Sequence, residues 1–196
     1  KHQSNFYYPK KNGFQSLVDA LAKPLENINV SSPVVSLEHE GSKWIINGSI
    51  KYDDVISTLP MQDLPHVIRN TPPFVAATLD SLWYNGVLTV FIGLKKDFDH
   101  DYSWLYLPHK ENGPANRITF LSNYSEYNAP KGCGSILAEI TYRAKTRPEA
   151  TEVIIENVVN SLDRCEIIDK NDVILTDSYF YKYAYPVYGL KFNEFI

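Results

Sequence analysis

The sequence predicts an α+β fold built on a mixed, largely antiparallel sheet with one helix packed against it. From Trp83 onward, β-branched and aromatic runs are separated by polar turns too short for repeated helical crossovers, which favours antiparallel neighbours. One amphipathic segment, residues 149–162, interrupts these runs and places apolar residues on one helical face. Apolar residues make up 44% of the chain and charged residues 21%, as in globular proteins, so the composition excludes disorder.

Helices and a hairpin are predicted before the sheet. Apolar residues recur at helical spacing from Phe14 to Leu25, with Gly13 before them and Pro24 in the last turn. Asn47-Gly48 separates two short β-forming runs and is the strongest short signal for a hairpin turn. The other elements predicted here are short strands at 29–37 and 54–59 and short helices at 61–69 and 73–82.

Five strands are predicted for the sheet itself. Each is a β-branched or aromatic run bounded by polar residues, and the runs are 87–93, 103–107, 117–122, 135–142 and 173–181. Tyrosines occupy alternate positions from Tyr179 to Tyr185, and Tyr188 follows them. This alternation predicts phenol rings on one side of a strand, in cross-strand packing.

Composition and motifs exclude several classes of function. The net charge of −4 supplies no global attraction for nucleic acid or an anionic membrane, and the apolar runs are far shorter than the ~20 residues of a membrane helix. The two cysteines and five histidines form no metal-ligand motif, so we expect no metal site and a reducing, cytoplasmic location. Since no glycine-rich phosphate loop, nucleophile elbow or HExxH helix is present, no catalytic residue is assigned.

Two residues on neighbouring predicted strands are candidates for anion binding. Tyr106 and Arg117 fall on the same face of adjacent antiparallel strands. A planar guanidinium beside a phenol hydroxyl is suited to a phosphate or diphosphate. The alternative is an ion pair of Arg117 with Glu139 or Glu126 at the sheet surface. Glu139 itself is either a general base or a paired strand carboxylate.

Several segments resemble a family of flavoenzymes. In order and spacing, three segments of this chain resemble the middle of flavin-containing amine oxidases, protoporphyrinogen oxidases and UDP-galactopyranose mutases. They are Tyr8-Pro9-Lys10-Lys11-Asn12-Gly13, Ser32-Pro33-Val34-Val35 and Asp54-Val55-Ile56-Ser57-Thr58-Leu59-Pro60. Three further segments look like the corresponding parts of the eukaryotic-type mutases. They are Trp104-Leu105-Tyr106-Leu107-Pro108, the strand that begins at Arg117, and Tyr183-Ala184-Tyr185-Pro186.

The resemblance implies FAD as the cofactor of the intact protein. In that superfamily the strand at the Pro-Val pair contacts the FAD adenine through its backbone, and the strand ending in Leu-Pro leads into the substrate domain. The implied cofactor-binding residues are Val34, Ser57, Thr58, Leu59 and Pro60. The implied domains are a remnant of the FAD-binding domain with its connector (1–60), a substrate-binding domain (61–188) and the start of the return to the FAD-binding domain (189–196).

The resemblance also implies a substrate site and a function. In the mutases, the residues matching Tyr106, Arg117 and Tyr185 hold the substrate diphosphate. The chain is therefore expected to be the substrate-binding part of an FAD-dependent UDP-sugar mutase of cell-surface polysaccharide biosynthesis, with a nucleotide sugar or another small molecule as its partner. The alternatives are an amine oxidase or protoporphyrinogen oxidase and, third, a binding module without catalysis.

The GxGxxG strand and helix of that superfamily are not in this sequence. Because binding of the FAD pyrophosphate depends on that element, the 196 residues alone are expected to hold no FAD and to be inactive. The predicted strands of residues 29–59 are expected to leave an unpaired edge, where a second copy of the chain would pair to form a homodimer.

Overall fold

The computed structural model describes residues 6–143, 146 and 151–189. In chain order its elements are α1 (Gln15–Ala22), β1 (Leu37–Glu40), β2 (Lys43–Ile46), β3 (Ile50–Tyr52), α2 (Leu64–Val67), α3 (Pro73–Ser81), β4 (Tyr84–Leu94), β5 (Trp104–Tyr106), β6 (Arg117–Phe120), β7 (Gly134–Arg143), α4 (Thr151–Arg164) and β8 (Val173–Pro186). Within the part described, no helix is long and apolar enough to cross a bilayer.

The described residues form two compact units. The sheet unit contains residues 6–26 and 85–184, and the hairpin unit contains residues 27–84 and 185–189. These units are defined by compactness. The division by function into residues 1–60, 61–188 and 189–196 stays a prediction.

The sheet unit is built on the predicted antiparallel sheet. Its five strands lie in the order β5-β6-β7-β4-β8, and the pairs β5–β6, β6–β7 and β4–β7 are antiparallel. Contacts of Gly86 with Phe180 and of Gly93 with Leu175 run in opposite directions along β4 and β8, so this pair is antiparallel too. All five predicted strands are present, and the predicted fold class is confirmed.

One face of this sheet forms the core with α4. Ile154, Val158 and Leu162 of the helix are buried against it, so the predicted packing of the helix on the sheet is confirmed. The predicted positions 149 and 150 lie outside the described residues. The buried side chains on the strands, spaced two residues apart, are Leu88, Val90, Ile92, Leu94, Ile118, Phe120, Ile136, Ala138 and Ile140.

The hairpin unit confirms the predicted turn. Asn47 and Gly48 have φ of 51° and 73°, the left-handed values that a two-residue hairpin turn requires. The Asn47 side chain also holds the preceding segment, since its Oδ1 accepts from the backbone N–H of Val35 at 2.9 Å and of Ser36 at 3.2 Å. Strands β1, β2 and β3 form one antiparallel sheet around this turn.

Two predicted strands are wrong. Of residues 29–37 only Leu37 belongs to a strand, and residues 54–59 form none. Both runs contain β-branched and other apolar residues, but a strand also needs a neighbour for its backbone groups. Within the described residues, positions 29–36 and 54–59 find no ladder partner.

The two helices predicted after the hairpin differ in outcome. The second is confirmed as α3, with Pro73 at its first position. The first is confined to α2 because Ile68 leaves the helical conformation, with ψ of 117°. Ile68 instead forms a parallel bridge with Leu37, whose carbonyl also accepts from the Arg69 N–H at 2.9 Å.

Candidate anion-binding site

The candidate site lies on the face of the five-stranded sheet opposite α4. Because side chains alternate between the two faces, residues paired in register share a face. One such row crosses four strands and consists of Tyr106 on β5, Arg117 on β6, Glu139 on β7 and Thr89 on β4. The register therefore gathers polar and charged groups on a sheet whose other face is apolar.

Tyr106 and Arg117 share a face of adjacent strands, as predicted, and lie directly opposite each other. The next pair along, Leu107 and Asn116, is hydrogen-bonded with N···O of 2.9 Å. Pairs alternate along an antiparallel ladder, so Tyr106 and Arg117 form a non-hydrogen-bonded pair, in which the side chains are closer. The Tyr106 hydroxyl is near enough to Arg117 to help raise the pKa of the guanidinium.

Arg117 forms an ion pair with Glu139. Its Nη2 donates to Glu139 Oε1 at 2.6 Å, with side-chain exposures of 40% and 17%. This hydrogen bond raises the pKa of Arg117, against burial, which lowers it. The pairing with Glu139 that the sequence left as an alternative is thus confirmed, whereas Glu126 contacts Lys10 at 3.2 Å instead.

The guanidinium keeps unused donor capacity. Its Nε is buried, and the described residues supply no acceptor for it. A buried N–H without a partner costs about 1–3 kcal/mol, so the free protein does not satisfy this group fully. The contact through Nη2 leaves the guanidinium with further N–H groups that an anion could use.

Tyr124 borders the row of polar residues, together with the segment that contains Phe6 and Tyr8. The Tyr124 ring contacts the rings of Phe6 and Tyr8, with centroids 4.8 and 5.2 Å apart. Burial raises the pKa of the Tyr124 phenol, and the charge of Arg117 and a hydrogen bond with Thr119 oppose that shift. The phenol is therefore neutral at physiological pH and is close enough to Arg117 to experience its charge.

Sequence reasoning missed Tyr124 and Thr119 as site residues. Thr119 lies two residues after Arg117 and so on the same face, a signal that the alternation rule offered. Tyr124 follows a short 3₁₀ turn after β6, where alternation no longer applies. Its position depends on ring contacts with residues more than a hundred positions earlier, which no local pattern encodes.

Tyr185 belongs to the hairpin unit, unlike Tyr106 and Arg117. It lies near the end of β8, is 64% exposed, and has its ring centroid 6.3 Å from that of Tyr188. Its role in holding a diphosphate stays a prediction. Earlier on β8, the rings of Tyr179 and Tyr181 contact each other along the strand, with centroids 4.6 Å apart.

The residues predicted to contact FAD lie in loops of the hairpin unit. Val34 is 39% and Leu59 43% exposed, and Ser57, Thr58 and Pro60 lie in the same loop as Leu59. In the described part of the chain, the backbone of Val34 has no hydrogen-bond partner, so its N–H and C=O are free to meet a planar ring edge. These residues fit backbone contact with an adenine. They carry no glycine-rich turn for a pyrophosphate.

The comparison with known families identifies the class. The model of the family described as flavin containing amine oxidoreductase matches residues 1–194, and the chain belongs to this family. The predicted resemblance to the flavin amine oxidase superfamily is confirmed, and the cofactor of the family is a flavin.

Solved structures of several flavoenzymes have the same fold as this chain. Reduced UDP-galactopyranose mutase matches with a TM-score of 0.84 at 23% identity, over 96% of this chain and 42% of that one. A putative protoporphyrinogen oxidase from Exiguobacterium sp. 255-15 gives 0.68 at 16% identity, over 90% and 40%. A putrescine oxidase double mutant gives 0.66 at 12% identity, over 89% and 41%. The chain thus spans about two-fifths of each of these proteins, and its fold is UDP-galactopyranose mutase-like.

Proposed function

We propose that the chain is the substrate-binding part of an FAD-dependent enzyme that acts on a nucleotide sugar, in the manner of a UDP-galactopyranose mutase. The observation that carries this is the pairing of Tyr106 with Arg117 on the polar face of the sheet. A guanidinium whose side chain is 40% exposed, beside a phenol hydroxyl, is suited to the oxygens of a diphosphate. The higher TM-score with the mutase than with the two oxidases supports the same choice.

The residues of this chain have binding and orienting roles in that proposal. Arg117 and Tyr106 hold the diphosphate, and Tyr185 is proposed as a further contact. Val34 and residues 57–60 would meet the adenine side of FAD through their backbone. When bound, the flavin supplies the covalent chemistry at the sugar. The protein contributes by fixing the diphosphate, which orients the anomeric carbon.

An oxidase is the second candidate, favoured by the family description and by the fold match to putrescine oxidase. The two reactions differ in their electron balance. A mutase interconverts two ring forms of the same sugar with no net oxidation, whereas an oxidase passes two electrons from its substrate to an acceptor such as oxygen.

The redox requirement tests the proposal. The complete protein, loaded with FAD, is incubated with UDP-galactofuranose with and without dithionite, and the nucleotide sugars are separated by chromatography. We expect UDP-galactopyranose to form only with reduced flavin. Oxygen consumption with an amine or a porphyrinogen, and no sugar conversion under reducing conditions, would establish the oxidase instead.

A further inference from the structure

Glu139 lies in the proposed anion site, although its carboxylate is negatively charged and repels anions. It sits on β7, which pairs with β6 on one side and β4 on the other, so the backbone fixes its position. Its side chain is 17% exposed, and Oε1 is 2.6 Å from Arg117 Nη2. A carboxylate is thus built into the place where phosphate oxygens are expected to bind.

The neighbours of Glu139 offer it no second cation. On β6 it faces Arg117, and on β4 it faces Thr89, whose hydroxyl donates to the Tyr179 carbonyl at 3.1 Å. Tyr124, which borders the row, carries a neutral phenol. Within the described residues, Arg117 is the one cationic side chain that lies within salt-bridge distance of Glu139.

This arrangement has an electrostatic consequence for a bound anion. Arg117 and Glu139 together carry no net charge, so the pair attracts a diphosphate less than the guanidinium alone would. A phosphate on Arg117 would also lie close to the partly buried carboxylate, where repulsion is screened less than at an open surface. The Nε of Arg117 has no acceptor among the described residues, so the ion pair with Glu139 does not use all the donors of the guanidinium.

We propose that Glu139 is an intramolecular competitor that sets the affinity of the Arg117 site for phosphate anions. It holds one edge of the guanidinium in the free protein and opposes the charge of an incoming diphosphate. The site therefore binds a diphosphate less tightly than the guanidinium alone would. This inference rests on the proposed function, because it takes the diphosphate of a nucleotide as the ligand of Arg117.

The test is UDP binding to the complete protein, measured by calorimetry. Glu139→Gln keeps an oxygen that accepts from Arg117 and removes the charge, so UDP should bind roughly three- to tenfold more tightly, a gain that shrinks as salt is added. Glu139→Asp keeps the charge and should stay within about twofold of the wild type. The control is Glu38→Gln, since Glu38 contacts Arg69 at the same 2.6 Å in the hairpin unit and should not alter UDP binding.

A second variant removes the carboxylate in a different way. Glu139→Leu has a side chain of similar size with no charge and leaves the Arg117 guanidinium without its competitor, so it should also tighten UDP binding, and it decides the question if Glu139→Gln does not fold. Unchanged or weaker binding in both variants overturns the inference, as does equal tightening by Glu139→Asp. Failure of the proposed function shows separately, because Arg117→Ala would then bind UDP as the wild type does.

Discussion

The two faces of the five-stranded sheet differ in what they contribute. On the face toward α4, the side chains of Val90, Ile92, Ile118 and Phe120 are fully buried. On the other face, strands β4 to β7 carry Thr89, Tyr106, Arg117 and Glu139, all of them at least partly exposed. Because successive residues of a strand point to opposite faces, one sequence stabilises the fold and builds the site at alternate positions.

The difference between the faces makes their mutations separable. Substitutions on the packed face should reduce the free energy of unfolding, since they remove buried apolar contacts. Substitutions on the polar face should alter ligand binding and leave the fold nearly intact. Four predictions test this separation.

The largest effect is expected on the packed face. Leu162 of α4 is fully buried, and Leu162→Ala should reduce the free energy of unfolding by about 3–4 kcal/mol through lost contacts and a cavity. Val153 lies on the same helix but is 48% exposed, so Val153→Ala should cost no more than about 1 kcal/mol. Urea denaturation followed by circular dichroism compares them. Equal losses would mean that α4 does not cover the sheet.

The next effect concerns affinity on the polar face. Arg117→Ala should weaken UDP binding to the complete protein by roughly 1.5–3 kcal/mol, the scale of hydrogen bonds to charged groups. That corresponds to a loss of roughly 10- to 150-fold. Arg69, like Arg117, contacts a glutamate at 2.6 Å, and Arg69→Ala should leave UDP binding unchanged. Equal effects of the two substitutions would exclude Arg117 as a specific ligand.

A smaller loss of affinity is expected at Tyr106. Tyr106→Phe keeps the ring and removes the hydroxyl, so UDP binding should weaken by roughly 0.5–1.5 kcal/mol, as for one neutral hydrogen bond. Tyr102 is similarly exposed, at 54%, and its ring stacks on His100 outside the row, which makes Tyr102→Phe the control. Calorimetric titration with UDP measures both. An unchanged affinity in Tyr106→Phe would leave Arg117 as the diphosphate ligand without the phenol.

The sheet could be predicted from the sequence because its signals are local. Alternation and turn residues marked all five strands, and Asn47-Gly48 fixed the hairpin turn through two left-handed residues. The wrong strands, 29–37 and 54–59, failed for a non-local reason. Their residues have strand character, but a strand is defined by pairing, and no local pattern states which neighbour will supply the hydrogen bonds.

The site could be predicted only in part for the same reason. Tyr106 and Arg117 follow from strand order and alternation, and Glu139 entered as a candidate partner on the neighbouring strand. The choice between Glu139 and Glu126 needed the register, which places Glu139 directly opposite Arg117 and leaves Glu126 beyond the strand. Tyr124 needed contacts with Phe6 and Tyr8 that only the folded chain creates.

The smallest effect is expected from the pH dependence of Tyr124. Its phenol has a pKa raised above the ordinary value of 10.0, chiefly by burial, so the folded protein keeps this proton at a pH where the unfolded chain releases it. The number of bound protons is then greater in the folded state, and the free energy of unfolding falls as pH rises above about 10. Below that pH the contribution is fully present.

Tyr124→Phe has no phenol at this position and should lose stability less steeply above that pH than the wild type does. Urea denaturation at pH 8, 10 and 11, at constant ionic strength, gives the difference between the two proteins, in which the other titrating groups cancel. Tyr179 is 63% exposed, and Tyr179→Phe serves as the control. Parallel pH profiles for wild type and Tyr124→Phe would show that the Tyr124 phenol is solvated and does not lie packed beside Arg117.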